Sequence, residues 1–265
     1  MRIKSNYHTH STYCDGKNTL REMVEVAIEK GFTELGFSGH SYTPFDEEVS
    51  MSVEDTGKYE AELDSLKEEY ADKIKIFAGI EQDYFSEMTT ENYDYVIGSV
   101  HYTYKDGKYL SVDETPELFE TAVRDCYDND VYGFIEDYYR LVADVVRKTE
   151  ADIIGHFDLI TKFNDGEKYF SENHPRYVAA VDEAIKKLIA TGKLFEINTG
   201  AMARGYKKVP YPSDVIIKRI AEAGGKFILS SDAHSKENLD YGFEQVLKWL
   251  KDLGIDESYI VSSII

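Results

Sequence analysis

The chain has 265 residues and a formal net charge of −20 at pH 7, from 30 lysine and arginine residues against 50 aspartate and glutamate residues. This charge disfavours long nucleic acid as a partner. No apolar run of about 18 residues occurs, which disfavours a membrane span. The start MRIKSNYHTH is charged, which disfavours an export signal. Cys14 and Cys126 lack CxxC partners and fit a reducing compartment, so we expect a cytoplasmic protein whose partner is a small molecule.

Seven short apolar or β-branched segments alternate with stretches of helical period along the chain. This alternation is typical of β/α units that surround a parallel sheet. No linker or low-complexity tract interrupts it, so the sequence predicts one domain over residues 1–265. The predicted strands cover residues 2–8, 34–39, 75–80, 94–100, 151–155, 193–198 and 226–231.

Helix start and stop signals lie between these strands. The segment TLRE, beginning at Thr19, has the form of a capping box, and Gly31 stands where a glycine commonly ends a helix. Pro116 is predicted to begin another helix. Ser213 is predicted to cap a helix that ends near the glycines at 224–225.

Histidine is scarce, with seven residues, yet most of the histidines lie at or just beyond the end of a predicted strand. The successive strand ends read NYHTH, FSGH, AGIE, GSVH, IGHF, EINTG and SSDAH. The carboxyl ends of barrel strands share one face, so we expect these side chains to converge there. His8 and His10 project to the same side of an extended segment. Imidazole and carboxylate groups suit zinc, iron or manganese. His174, in SENHPRY, follows no strand and is left out of the site.

Six segments, HTHSTYCDG, SGH, GIE, SVH, GHFD and SSDAH, resemble in order the successive motifs of the PHP (polymerase and histidinol phosphatase) superfamily. The resemblance runs from His8 to His234 and therefore covers nearly the whole chain. The size of the chain and the form of HTHSTYCDG are most similar to the histidinol-phosphate phosphatase branch of this superfamily. The resemblance implies an α/β fold, a distorted seven-stranded (β/α)7 barrel of TIM-like architecture. It also implies a centre of two or three divalent metal ions, zinc, manganese or iron.

The resemblance further implies which residues hold each metal. The first set of ligands is His8, His10, Glu81 and Asp232, the second is Glu81, His101 and His156, and the third is Asp15, His40 and His234. Glu81 would bridge the first two ions. Asp15 precedes Gly16, so a turn aspartate without a metal is an alternative interpretation of that position.

A charge count makes phosphate a reasonable substrate group. Three divalent ions, three carboxylates and one bridging hydroxide sum to about +2, which matches a phosphate monoester dianion. Adjacent cations also lower the pKa of a bridging water towards neutrality. The charge count supports a phosphate monoester, and the resemblance implies which one: a histidinol-phosphatase of histidine biosynthesis, which hydrolyses L-histidinol phosphate to L-histidinol and phosphate through a metal-bridging hydroxide.

Three further residues are candidates for binding the substrate. Arg204 lies in the loop TGAMARGYKK after the sixth predicted strand, and its planar fork suits phosphate oxygens. Lys162 follows the fifth strand, and a surface position is the alternative for both cations. Asn198 would orient a water or a phosphate oxygen, or it would be a buried amide within the strand network.

The leaving alkoxide needs a proton or a cation, and Asp232 and His234 are the candidate acids, with metal-bound water as an alternative. Two other functions stay open. One is a PHP-type phosphoesterase for another monoester, such as phosphotyrosine or a nucleotide. The other is a non-catalytic metal-binding module of the kind attached to a polymerase.

Overall fold

The computed structural model describes residues 3–264, and a curled sheet of eight parallel strands forms its centre. The order in the sheet is β1-β2-β3-β4-β7-β8-β9-β10, so strands that follow each other along the chain lie side by side. The strands are β1 (Ser5–Asn6), β2 (Glu34–Phe37), β3 (Lys75–Asp83), β4 (Tyr95–Ser99), β7 (Ile153–Ile154), β8 (Leu194–Asn198), β9 (Phe227–Ser230) and β10 (Ile260–Val261). An antiparallel ribbon, β5 (Tyr102–Lys105) with β6 (Lys108–Ser111), stands apart from this sheet.

The predicted count of seven barrel strands is not confirmed, because the sheet has eight strands and curls into a half-barrel. Seven of them overlap the predicted segments, and the start of the first segment, Arg2, lies outside the described residues. The eighth strand, β10, is a two-residue strand paired with β9. Two residues carry too little alternation to be recognised as a strand.

Nine α-helices occur in the described part of the chain. They are α1 (Leu20–Glu29), α2 (Val53–Glu69), α3 (Pro116–Cys126), α4 (Val131–Val142), α5 (Val145–Thr149), α6 (Pro175–Ile189), α7 (Gly200–Ala203), α8 (Asp214–Glu222) and α9 (Phe243–Asp252). Short 3-10 helices cover Leu159–Thr161, Lys236–Asn238 and Glu257–Tyr259. Within residues 3–264, each helix is too short or too polar to cross a lipid bilayer.

The predicted helix signals are confirmed. Thr19 caps α1 in a complete capping box with Glu22, and Gly31 follows the helix with a φ of 77°. Such a left-handed conformation is easily adopted only by glycine. Pro116 begins α3, and Ser213 occupies the N-cap position of α8.

The two faces of the sheet carry different packing. The larger cluster of buried apolar residues lies between the sheet and the surrounding helices. A smaller cluster fills the concave side, and it consists of Tyr7, Phe77, Tyr95, Ile97, Ile153 and Ile228. Side chains alternate along a strand, so Phe77, Gly79 and Glu81 of β3 share the concave face. A carboxylate is thereby placed above an apolar floor.

Tyr95 occupies the concave side only because glycines leave room for its ring. A Cβ atom added to Gly79 would lie 2.2 Å from Cζ of Tyr95, and one added to Gly36 would lie 2.4 Å from its hydroxyl. The ring cannot easily retreat, since the hydroxyl donates hydrogen bonds to the backbone oxygens of Tyr7 and Phe37.

We expect Gly79→Ala to lower the free energy of unfolding by more than about 2 kcal/mol, because the added methyl group overpacks this interior. Urea unfolding of both proteins measures the effect. Gly57→Ala is the matched control: a Cβ at Gly57, inside α2, meets nothing within 4 Å, and it should stabilise the protein by about 0.5–1 kcal/mol. Equal unfolding free energies for wild type and Gly79→Ala would contradict this packing.

The two outer strands of the sheet, β1 and β10, approach each other. Ser5 Oγ donates a hydrogen bond to the backbone oxygen of Ser262 at 2.6 Å. Further towards the carboxyl ends of the strands, Thr9 forms a parallel β-bridge with Ala233, with His10 N to Ala233 O at 2.9 Å and Ala233 N to His8 O at 3.1 Å. These bonds bring the segments after β1 and β9 together.

Candidate metal centre

The structure brings the nine predicted metal ligands together beyond the carboxyl ends of the strands. Three subsets have ligand atoms that all lie within 4.8 Å of one another. These subsets are His10, Asp15, His40 and His234; His8, His10 and Asp232; and His40, Glu81 and His101. His156 joins them through Glu81, because its Nε2 lies 2.9 Å from Oε1 of Glu81. The convergence expected from the strand order is therefore present.

Glu81, at the centre of the cluster, is 1% exposed and surrounded by imidazoles. Its Oε2 lies 3.0 Å from His40 Nδ1 and 3.2 Å from His8 Nε2. On the other side, Oε1 lies 3.4 Å from His101 Nε2 and accepts a hydrogen bond from Ser99 Oγ at 2.7 Å. Each oxygen thus faces a different group of histidines, which is the geometry a carboxylate needs to bridge two cations.

Several buried nitrogen and oxygen atoms in this cluster lack a hydrogen-bond partner among the described residues. They are Nε2 of His8, Nε2 of His10, Oε2 of Glu81 and Nδ1 of His156. Buried polar atoms are normally satisfied, so such a group needs an explanation. The first three atoms point towards one another rather than towards the protein matrix. A set of imidazole nitrogens and carboxylate oxygens left open in this way fits divalent cations such as zinc, manganese or iron.

The third subset lies nearer to solvent. Asp15 Oδ2 is 3.0 Å from His234 Nε2, and its Oδ1 is 3.8 Å from His40 Nε2. The rings of His10 and His234 stack with centroids 4.0 Å apart. Asp15 therefore lies in a turn, and its carboxylate faces the histidines, as the metal-ligand interpretation requires.

The protonation of the cluster follows from burial and from the mixture of charges. Burial lowers the pKa of His10 to about 3, with the neighbouring His234 and His40 adding to the effect. For Glu81, burial opposes ionisation, yet His8 and His40 outweigh it and hold the carboxyl pKa well below its usual range. Burial alone would lower the pKa of His8 and His40, but the neighbouring carboxylates raise it. Metal binding needs neutral imidazoles, so it would release protons from these two histidines.

Glu196 is a residue of this centre that the sequence analysis missed. It is fully buried on β8, and its Oε1 lies 2.5 Å from His8 Nδ1. Its Oε2 accepts hydrogen bonds from the backbone N of His156 at 2.7 Å and from Asn198 Nδ2 at 3.0 Å, and Ser230 Oγ also donates to the carboxylate. Glu196 thus fixes the ring of His8 and the backbone of His156. A carboxylate in the middle of the buried strand KLFEIN was a usable signal for such a role.

Asn198 is not brought to the substrate side. It is fully buried, and both ends of its amide are used: Nδ2 donates to Glu196, and Oδ1 accepts from the backbone N of Gly200 at 2.8 Å. The structure places it as the buried amide that the sequence analysis gave as the alternative. His174, which was left out of the site, caps α6 through its Nδ1.

A cavity of about 290 Å³ opens over the ligand cluster. Arg204 and Lys162 both line it, together with metal-ligand candidates such as Glu81 and Asp232. Arg204 donates from Nη2 to Asp232 Oδ2 at 3.0 Å, and its Nη1 lies 3.0 Å from His234 Nδ1. Asp232 itself has a left-handed backbone with φ of 47°, a conformation that non-glycine residues adopt rarely and often at functional sites.

The far wall of this cavity was also missed by the sequence analysis. The ribbon of β5 and β6 and the loop after it contribute Tyr102, Ser111, Asp113 and Glu114 to the lining. The turn of this ribbon is Asp106-Gly107, with φ of 50° and 80°. Asp-Gly between alternating residues is a strong hairpin signal, so YTYKDGKYLS could have identified the ribbon.

A family comparison decides which fold family these features belong to. The family model of the PHP domain matches residues 6–200, a range that runs from β1 to the start of α7. The chain belongs to the PHP family. Asp232 and His234 lie beyond the matched range, where the β9 end completes the ligand cluster of this PHP protein.

Several relatives that align with most of this PHP protein are named as phosphatases. It is 30% identical to the Schizosaccharomyces pombe protein named "Probable histidinol-phosphatase", over 96% of this chain and 88% of that one. It is 25% identical to the histidinol-phosphatase of Bacillus subtilis, over 92% and 98% of the two chains. The crystal structure of a Lactococcus lactis histidinol phosphate phosphatase with zinc, L-histidinol and phosphate superimposes with a TM-score of 0.67, at 23% identity over 96% of this chain and 95% of that one.

Proposed function

We propose that this PHP protein is a metal-dependent histidinol-phosphatase, which hydrolyses L-histidinol phosphate to L-histidinol and inorganic phosphate in the cytoplasmic synthesis of histidine. The observation that carries the proposal is the cluster of nine metal-competent side chains beneath a small cavity, whose wall includes the positively charged side chains of Arg204 and Lys162. The names of relatives that align over nearly the whole chain support the choice of substrate.

The proposed metal ligands are those that the resemblance to the PHP motifs implies, and they overlap the observed subsets without coinciding with them, since His40 also groups with Glu81 and His101. One ion would be held by His8, His10, Glu81 and Asp232, a second by Glu81, His101 and His156, and a third by Asp15, His40 and His234. When bound, such ions polarise the phosphate ester and supply hydroxide from water near neutral pH. The remaining chemistry is the work of the protein's own side chains, which bind the phosphate and protonate the leaving group.

Arg204 and Lys162 are the proposed contacts for the peripheral phosphate oxygens. Arg204 is the stronger candidate, because its guanidinium is already fixed by Asp232 and is 33% exposed towards the cavity. A fixed planar fork can donate two hydrogen bonds to a phosphate group. Asn198, which is enclosed beneath the site, has no contact role in this proposal.

The proposed proton donor for the leaving alkoxide is His234 rather than Asp232, in the form of the centre that holds two ions. In that form Nε2 of His234 can carry the proton, because Nδ1 accepts from Arg204 and the imidazole holds no third ion. Burial alone would raise the pKa of Asp232, but Arg204 and His8 hold it well below its usual range, so this carboxyl group carries no proton to give. His234 is 21% exposed at the mouth of the cluster, where a leaving alcohol would depart. Arg204, which is paired with Asp232, keeps the imidazole of His234 in place, with Nη1 3.0 Å from Nδ1.

The acidic residues that line the cavity favour a phosphate ester whose alcohol part is positively charged. Asp46, Glu48 and Glu114 line the same cavity. Carboxylates there favour the amine and imidazole of histidinol, whereas a nucleoside offers them no comparable positive charge. Phosphotyrosine and a non-catalytic metal-binding module remain the alternatives to be tested.

A phosphate-release panel on purified, metal-analysed protein tests the proposal. We expect turnover of histidinol phosphate to exceed that of phosphotyrosine and of a mononucleotide, and chelation to abolish it, with zinc, manganese or iron restoring it. Preference for phosphotyrosine would replace the substrate but keep the enzyme class. Undetectable hydrolysis of all three esters by fully metal-loaded protein would favour the non-catalytic module, and full activity without metal would defeat the mechanism.

Arg204→Lys is expected to lower kcat/KM for histidinol phosphate by roughly ten- to a hundredfold, because lysine keeps the charge but loses the fork. The metal content should not change. Steady-state kinetics and metal analysis on one preparation measure both quantities. Arg219→Lys, which alters an arginine paired with Asp182 on the outer helices, is the control and should have wild-type kinetics. Wild-type kinetics for Arg204→Lys would place Arg204 outside the substrate site.

A further inference from the structure

We infer that Asp113 is a positioning residue, which holds the ammonium group of Lys162 where it can contact the substrate phosphate. The inference rests on the proposed phosphatase function and adds a residue that the motifs of the family do not include. Asp113 lies in the loop after β6, at the cavity wall that sequence reasoning missed.

The contact between the two side chains is short and shielded. Lys162 Nζ lies 3.0 Å from Asp113 Oδ2, and the side chains are only 13% and 20% exposed. An ion pair between fully exposed side chains would contribute little, since solvent screens it. Here both members line the cavity above the metal-ligand cluster, so the pair is formed at the place where a substrate would bind.

Other contacts restrict where the ammonium of Lys162 can go. It lies 5.6 Å from the ring centroid of Phe163 and 5.0 Å from that of Tyr206. The backbone of Lys162 is fixed as well, because its N donates to the oxygen of Leu159 at 2.8 Å. With rings and a carboxylate around it, the ammonium keeps free donor capacity that faces the cavity. Without Asp113, the four-carbon side chain would sample many more conformations.

Asp113 is itself held by its own segment. The backbone N of Val112 donates to the oxygen of His101 at 2.9 Å, which ties this loop to the metal-ligand cluster. A carboxylate cannot bind a phosphate dianion directly, because the two carry the same charge. Lys162 is the partner of Asp113 at hydrogen-bond distance, whereas His101 and Arg204 sense its charge from further away. We therefore expect the effect of Asp113 on phosphate binding to pass mainly through Lys162.

A double-mutant cycle tests this assignment. Asp113→Asn, Lys162→Met and the double variant are compared with wild type in the metal-loaded full-length protein. The readouts are KM and kcat for histidinol phosphate and for p-nitrophenyl phosphate, together with calorimetric binding of inorganic phosphate. Asp182→Asn, which removes a carboxylate paired with Arg219 away from the cavity, is the matched control. Metal content and the thermal unfolding midpoint are measured for every protein, and Asp113→Glu shows whether a displaced carboxylate restores function.

We expect Asp113→Asn to raise KM for both esters and to weaken phosphate binding by about tenfold, with kcat changed by less than about twofold. The double variant should be no weaker than Lys162→Met alone, because the loss of Asp113 then has no further effect. Asp113→Glu should recover part of the affinity. The control should behave like wild type.

Three results would overturn the inference. Additive losses in the double variant would show that Asp113 acts independently of Lys162. A loss confined to histidinol phosphate would show that Asp113 binds the substrate amine, since p-nitrophenol has none. Lost metal or a lowered unfolding midpoint in both Asp113 variants would show a structural role. If p-nitrophenyl phosphate is hydrolysed but histidinol phosphate is not, the proposed substrate is wrong, and the cycle on p-nitrophenyl phosphate and phosphate still decides the role of Asp113.

Discussion

Glu81→Gln is expected to reduce phosphatase activity by more than about a hundredfold and to lower the bound metal content. Glutamine keeps the size of the side chain but removes a negative charge that faces histidines on both sides. In the structure, each carboxylate oxygen of Glu81 lies against a different set of imidazoles. A neutral amide can offer one oxygen and one NH2 group, so it cannot bridge two cations.

Metal analysis and phosphate release on the same preparation measure this effect. Glu183→Gln is the control, because Glu183 is an exposed carboxylate paired with Lys187 on α6, far from any metal-ligand candidate. It should retain wild-type metal and activity. Native metal content in Glu81→Gln would show that Glu81 does not bridge two ions, whatever happens to the rate.

Glu196→Gln is expected to weaken metal affinity by roughly ten- to a hundredfold, although Glu196 itself would touch no metal. The carboxylate accepts hydrogen bonds from four directions and orients the ring of His8. An amide in its place offers one acceptor oxygen, and its NH2 group faces donors that then lack a partner. The imidazole of His8 loses both its orientation and the charge that increases its basicity.

Competition with a chromophoric zinc chelator measures the affinity of Glu196→Gln, and circular dichroism of the metal-free protein shows whether the fold persists. Ser230→Ala, which removes only one of the donors to Glu196, should give a smaller loss. Unchanged zinc affinity in Glu196→Gln would show that the network around His8 is a packing feature without influence on the metal centre.

The sequence alone predicted most of the sheet because its strands are buried on both sides. In β3, all residues after Lys75 are buried, and such strands read as apolar runs with clear ends. The sequence did not predict the short β10 or the ribbon of β5 and β6, for two different reasons. Two residues are too few to form a pattern. The ribbon, with exposed Tyr104 and Tyr109, lacks an apolar run, so its Asp-Gly turn was the signal to use.

The metal-ligand candidates could be predicted because each one occupies the end of a strand, where topology alone decides its neighbours. The supporting residues could not be found in this way. Glu196 lies within a strand, and Asp113 is reached through the ribbon, so their partners depend on three-dimensional packing. Asn198 also lies at a strand end, and that position suggested a contact with the substrate. Its side chain is instead buried, with the nitrogen and the oxygen of its amide both hydrogen-bonded.

The bridge between Thr9 and Ala233 has a consequence for how the protein matures in the cell. His8 and His10 leave the ribosome well before Asp232 and His234 do. Pairing across so long a stretch of chain is slow compared with local folding. A nascent chain therefore carries the first histidines without these partners until the segment after β9 has been made, and the first proposed ion can meet its whole ligand set only then. Binding at that position would distinguish chains that contain the end of β9 from chains that stop just before it, whereas Glu81, His101 and His156 would already be present in both.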